Sequence, residues 1–335
     1  AYFRVGVNIE GALCSLSFGG FMSLVVVDGD LISYKASAAS ETRTILVTNK
    51  ETGKTKEFAN RTAFKDWGKG ECKDISLYSI EDVQTPEPLE NCLHTVKMML
   101  QGIHEASGCK EMKVVVQGEG NFRDSLLLPT KYKSNRSENQ KPIHLTEARN
   151  YLLGKYKAEQ AHGQESDDVL ASYAYEGYKS KQRIVQATID KDANQCAGWL
   201  LNWDKMKEPK FISGLGSITK EGKGFGRKFL YYQMVVGDPS DCYKPTELTK
   251  FKYGAASAFK DFGELATDKE CWEKMKELYQ SWYPEDFTYT AWNGEEVQGG
   301  WLQMRHLYAD CAQMRGFDGD RLNVEEKLGK KGLIR

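Results

Sequence analysis

The 335-residue sequence lacks several things that would narrow its role at once. No CxxC pair occurs, and the eight cysteines (Cys14, Cys72, Cys92, Cys109, Cys196, Cys242, Cys271, Cys311) are scattered. With only five histidines, none at ligand spacing to a cysteine, a structural zinc site is excluded, and the thiols read as reduced in a cytoplasmic compartment. No uncharged run reaches the roughly 20 residues that a membrane span needs. Charge of one sign is missing too: 46 Lys+Arg against 47 Asp+Glu leave a net charge of −1, so any nucleic-acid surface must come from local sorting of charge. What remains is an ordinary globular composition, 40% hydrophobic and 28% charged with a mean hydropathy of −0.57, which excludes disorder and collagen-like repeats.

The uncharged stretch 11–27 follows Arg4 and superficially suggests a signal peptide. Gly19, Gly20 and three serines dilute it, no small-x-small site follows, and its apolar end suits a strand better. Met22 reads as a natural start, so residues 1–21 are expected to be an extension without function. Residues 22–235 are expected to form an α/β core, and 236–335 a helical region ending in a charged tail from about Gly319.

Three β-branched runs, LVVVDGD (24–30), MKVVVQGE (112–119) and RIVQATIDKD (183–192), each end in acid. Continuous apolar runs separated by helical patterns point to parallel strands in an α/β sheet, whose carboxyl edge carries the site. TRTILVTNKETGKTKEF (42–58) reads as a hairpin around Thr-Gly, and helices are expected at about 88–106, 145–159 and 166–178, the last burying Leu170, Ala171, Ala174 and Tyr178. The Gly- and Lys-rich stretch 207–235 reads as a hairpin; its GKGFGR lacks the ending of a phosphate loop and any convincing strand-to-helix turn. From about 245 onward a helical, aromatic region is expected.

Acids recur beyond the strand ends. GQESDDV places Glu165, Asp167 and Asp168 at a helix start, and GDPSD adds Asp238 and Asp241. With Asp28, Asp30, Glu119, Asp190 and Asp192 these are ten carboxylates on five segments. Capping explains one or two acids at a helix start, not three. If they converge, their repulsion requires protons or cations, and an all-oxygen ligand set suits Mg²⁺ or Mn²⁺. Two such ions are a standard device for phosphodiester hydrolysis. After Glu119 the charge reverses. From Arg123 to Glu159 eight bases meet four acids, and KYKSNR interleaves Tyr132 with Lys133 and Arg136, as single-strand binders do.

The ordered set VVVDGD, QGEGNFR…PTKYKSNR…KP, GQESDDV, IDKD and GDPSD resembles the phage-type 5′-3′ exonuclease and flap endonuclease family, most of all its short phage exonucleases. The resemblance implies a parallel sheet with helices on both faces, a helical arch at about 121–160, and a C-terminal helix-hairpin-helix element. It implies metal ligation by Asp28, Glu119, Glu165, Asp167, Asp168, Asp190, Asp192, Asp238 and Asp241, and phosphate contact by Lys133 and Arg136 as catalytic bases beside Tyr132. Glu119 stands where the family commonly has Asp, and Asp30 is expected to support the site from behind. After GDPSD only Lys244, Lys252 and Gly254 match the DNA-contacting hairpin, where the family also holds a monovalent cation such as K⁺.

The expected activity is a Mg²⁺-dependent 5′ nuclease, exonuclease or flap endonuclease with ribonuclease H capacity. It would act on duplex, flap or RNA-primed DNA (an RNA–DNA hybrid) in replication, in the host cytoplasm if phage-encoded. Two alternatives stand beside it. A haloacid-dehalogenase-type phosphatase would use Asp28 and Asp30, but Ile32 sits where that family wants a hydroxyl. A non-catalytic DNA-binding relative would be expected to lose the metal acids.

Overall fold

The computed structural model describes residues 23–71, 73–136 and 140–316; the expectations for residues 1–21, Cys14, Cys72, Glu138 and the tail lie outside the described residues. Strand β1 (Ser23–Asp28) leads into α1 (Gly29–Ala39). A small three-stranded antiparallel unit follows, formed by β2 (Glu41–Asn49), β3 (Thr55–Phe58) and β4 (Tyr78–Pro86) with α2 (Arg61–Gly70), so the hairpin read at 42–58 gains a third strand. Its own small core joins Ile45, Val47 and Phe64 to Phe58, Trp67 and Tyr78.

Helix α3 (Leu89–Ser107), β5 (Glu111–Gln117), α4 (Leu145–Lys155), β6 (Glu159–Ala161), α5 (Ser166–Ser180), β7 (Arg183–Ala187), β8 (Gly198–Leu201) and β9 (Lys210–Ile212) complete the main α/β unit. The sheet order is β6-β5-β1-β7-β8-β9, parallel throughout except for β9. The three acid-ending runs are therefore its adjacent central strands, buried on both faces: Val25 and Val27 face α1 and α3, while Leu24 and Val26 face α5. On α5, Leu170, Ala171 and Ala174 are buried as expected, but Tyr178 is 42% exposed. Gly177 takes the inward position instead, because Ile184 leaves no room there for a side chain.

Beyond β9, a two-stranded ribbon of β10 (Ser217–Ile218) and β11 (Gly224–Phe225) runs through Gly226 straight into α6 (Arg227–Val236). The stretch 207–235 is thus a short hairpin followed by a helix, and GKGFGR does make a strand-to-helix turn. Helix α6 packs with α7 (Ala255–Phe262), α8 (Asp268–Trp282) and α9 (Trp301–Ala312) around Tyr231, Met234, Trp272, Tyr279 and Tyr308. This helical layer therefore begins inside the stretch assigned to the α/β core. A hairpin of β12 (Phe287–Thr290) and β13 (Glu296–Gly299) interrupts the region expected to be helical. Helices α6 and α7 flank the irregular segment 237–254, a helix–turns–helix arrangement. Among the described residues no helix is long and apolar enough to cross a membrane.

Candidate active site

Five elements converge at the carboxyl edge of the sheet. Asp28 ends β1 and caps α1, accepting from Leu31 N (3.1 Å) and from the Thr188 hydroxyl after β7 (2.9 Å). Gly29 follows because a Cβ there would stand 2.7 Å from Val114 and Val116 of β5. Asp190 and Asp192 lie in the turn after β7, where Asp190 accepts from Asp192 N (2.9 Å) and Asp192 from Gln233 of α6 (2.7 Å). Gly237, at φ 85°, turns the chain out of α6, and Asp238 then caps a single turn containing Asp241. Asp28, Asp190, Asp192 and Asp241, together with Glu165 and Asp167, line a cavity of about 560 Å³, and Asp238 lies outside its lining.

Two acid groups can be distinguished. Asp28, Asp167 and Asp190 interact electrostatically; among the described residues none of them forms a salt bridge, and Lys133 acts on Asp167 only from a distance. Burial, reinforced by Asp30 and Asp190, raises Asp28 to about 7. Burial together with Asp28, Asp190 and Glu165 pushes Asp167 well above the usual carboxylate range, and its buried Oδ1 has no hydrogen-bond partner among the described residues. The second group is Asp192, Asp238 and Asp241, whose oxygens lie within 4.8 Å of one another. Burial and Asp190 raise Asp192 to about 7. Crowding thus disfavours full ionisation of these acids unless cations are present, and hard oxygen donors with an oxygen such as Asp167 Oδ1 fit divalent cations.

The KYKSNR segment lies against these acids. Among its described residues the expected arch is not one long helix but carries two short turns, Phe122–Ser125 and Ser134–Arg136, while α4 packs on α1 and α3. Lys133 adopts φ 52°; its amide donates to Asp241 O (3.0 Å), and its Nζ stands 2.5 Å from Glu165 and 3.7 Å from Asp241. Arg136 reaches Asp241 at 3.0 Å from an exposed position. The segment's two ends are tied down. Tyr289 and Trp292 of the β12–β13 hairpin donate to Leu127 O and Leu126 O, while Glu41 accepts from Ile143 N.

Three expected site residues sit differently. Tyr132 is 4% exposed, its ring in the helical core and its hydroxyl donating to Asp241 (2.9 Å), so it has no face on which a base could stack. Glu119 is exposed and outside the cavity lining. Strand β5 ends two residues earlier at Gln117, which lines the cavity and bonds Gln164 O and Ser166 N. Asp168, 1% exposed, has both oxygens occupied by Arg123 (2.6 and 3.0 Å), Glu165 N (3.1 Å) and Arg315 N (2.8 Å). Asp30, expected to support the site from behind, accepts from Gln117 N and pairs with Arg149 (3.1 Å).

Sequence reasoning missed Arg123, the buried hub that also donates to Asp310 O (3.1 Å) and Gln313 O (2.7 Å) and so ties α9 to the site. The QGEGNFR motif contained it, but its partner lies 45 residues away. Lys244 and Lys252 are exposed, and Gly254 caps α7 with open space where a Cβ would project. The six cysteines among the described residues are unpaired.

Neither a family model nor a curated protein sequence matches the chain. Among solved structures it is similar to the bacteriophage T5 D15 flap endonuclease in a complex with DNA and metal ions, at 10% identity and TM-score 0.45 over 87% of this chain and 89% of that one. It is also similar to the T5 5′-exonuclease with bound zinc, at 13% identity and TM-score 0.41 over 75% and 83% of the two chains.

Proposed function

We propose that this chain is a divalent-metal-dependent nuclease that hydrolyses phosphodiesters at 5′ ends of duplex, flap or RNA-primed DNA, with primer removal in replication as its setting. One observation carries the reading: two acid groups, the first without a paired base among the described residues and the second held by Lys133, Arg136 and Lys191, meet at one cavity on the carboxyl edge of a parallel sheet. Asp28, Asp167 and Asp190 would hold one Mg²⁺ or Mn²⁺, and Asp192, Asp238 and Asp241 a second, with Glu165 between them. Bound there, such a pair supplies an activated water and stabilises charge developing on the phosphate.

The chain's own residues do the rest. Lys133 and Arg136, on a segment tied at both ends, present positive charge to the scissile phosphate, where preorganised donors act on transition-state charge. Tyr132 orients Asp241, and Arg149 holds Asp30 behind Asp28. Arg123 and Asp168 lock α5 against α9, so the acids approach one another without collapsing. Lys244, Lys252 and the open backbone at Gly254 are suited to more distant phosphates of the duplex.

The test is a substrate panel of blunt duplex, 5′ flap and RNA-primed DNA, incubated with Mg²⁺ using wild type and Asp167→Asn. Metal-dependent cleavage by wild type that Asp167→Asn abolishes supports the reading. Equal cleavage by the variant, or release of phosphate from a small aryl phosphate with no action on DNA, overturns it.

A further inference from the structure

The two acid groups differ in what neutralises them. Among the described residues, no basic side chain pairs with Asp28, Asp167 or Asp190. On the second group, Lys191 stands 2.7 Å from Asp238, while Arg136 at 3.0 Å and Lys133 at 3.7 Å share one oxygen of Asp241. Lys133 also spans to Glu165 at 2.5 Å. Three cations thus occupy the charge positions that a divalent ion at the second group would neutralise. Two of them, Lys133 and Arg136, are the bases proposed above to face the phosphate.

A base cannot pair fully with Asp241 and with a phosphate at the same time, and a divalent ion at Asp241 competes with it for the same oxygens. Resting on the nuclease reading, we infer that Lys133, Arg136 and Lys191 are resident counter-ions of the second group, and that this group takes up its ion with the substrate. The phosphate draws Lys133 and Arg136 off Asp241, and the freed carboxylates accept the ion. The first group binds its ion without DNA. Binding of phosphate and of the second ion are then coupled, and the coupling is reciprocal. The arrangement leaves the metal set complete only when a phosphate is in place.

Mn²⁺ binding to the DNA-free protein, followed by electron paramagnetic resonance, tests this without any turnover. Wild type should show one tight ion and a second bound at least about tenfold more weakly, since an opposite charge at this range shifts such an equilibrium by about tenfold or more. Lys133→Gln/Arg136→Gln should tighten the weak class by about tenfold and leave the tight class in place, which also shows that the variant is folded. Lys131→Gln removes the same kind of charge from a side chain that sits over Trp292, 4.6 Å from its ring centroid, and should change neither class. A short 5′-phosphorylated duplex should tighten the weak class in wild type and add little in the double variant. Unchanged weak-class affinity in the double variant, or two equally tight ions in wild type, overturns the inference. Absence of Mn²⁺ binding in every protein would overturn the nuclease reading beneath it.

Discussion

Replacing Asp168 by Asn separates a ligand from a brace. Asp168 faces four donors: Oδ2 takes Arg123 Nη1 (2.6 Å) and Glu165 N (3.1 Å), and Oδ1 takes Arg123 Nη2 (3.0 Å) and Arg315 N (2.8 Å). Side chains of the pair are 3% and 1% exposed. Asn keeps the shape but turns an NH₂ toward two of those donors and leaves the Arg123 cation short of its counter-charge. Breaking a buried pair in this way costs about 3–5 kcal/mol, which for a chain of this size lowers the thermal midpoint by roughly 4–7 °C. A carboxylate serving only as a metal ligand behaves in the opposite sense, since its removal relieves acid–acid repulsion in the metal-free protein. The assay is thermal and urea denaturation in EDTA, paired with Mn²⁺ affinity. We expect a large loss of stability with both ion-binding classes retained at low temperature. Unchanged or raised metal-free stability together with loss of an ion would refute the argument and make Asp168 a ligand.

Other outcomes follow from the same geometry. Asp28 lies at about 7 in the fold against an ordinary value of 3.8, so its contribution to stability is fully present below that ordinary value and is lost progressively until pH has risen through about 7. In EDTA the protein should therefore be less stable at pH 8 than at pH 5, by about 2–3 kcal/mol from this group, and Mg²⁺ should reverse the loss; a flat metal-free profile in urea denaturation would remove the burial argument. Lys133→Ala should slow cleavage about a hundredfold with little change in duplex affinity, and a change confined to the salt dependence of binding would place Lys133 on an outlying phosphate. Glu119→Gln should alter rate and metal affinity by no more than about twofold, in keeping with surface substitutions, and a metal titration checks this. Trp292→Ala should release one end of the KYKSNR segment, seen as faster amide exchange over 126–136 and a lower cleavage rate with the tight ion still bound.

Much of the sheet was legible because β1, β5 and β7 are buried on both faces and so read as unbroken β-branched runs. Their acidic ends announced the site for the same reason, since strand and turn are contiguous in sequence. Helix α6 was not legible. Its residues RKFLYYQMVV are aromatic and β-branched and directly follow Gly226, so local preference resembles a strand, and packing against α8 and α9 decides otherwise. Glu119 misled because Gly118 and Gly120, the latter at φ 74°, bend the chain just past β5; the residue aligned by motif turns to solvent and Gln117 faces the cavity. Tyr132 and Asp168 carry the right residue types for their expected roles. Their partners Asp241, Arg123 and Arg315 lie 45 to 147 residues away, beyond what periodicity or spacing reports.

The central claim is that these acids serve metal-dependent hydrolysis beginning at 5′ ends. Its most direct test is digestion of one blunt duplex labelled separately at the 5′ and at the 3′ terminus, with Mg²⁺ or with EDTA. With Mg²⁺, the 5′ label should leave early in short products while the 3′-labelled strand shortens progressively, and EDTA should stop both. Equal cleavage in EDTA, or progressive shortening of the 5′-labelled strand from its 3′ end, would contradict the account.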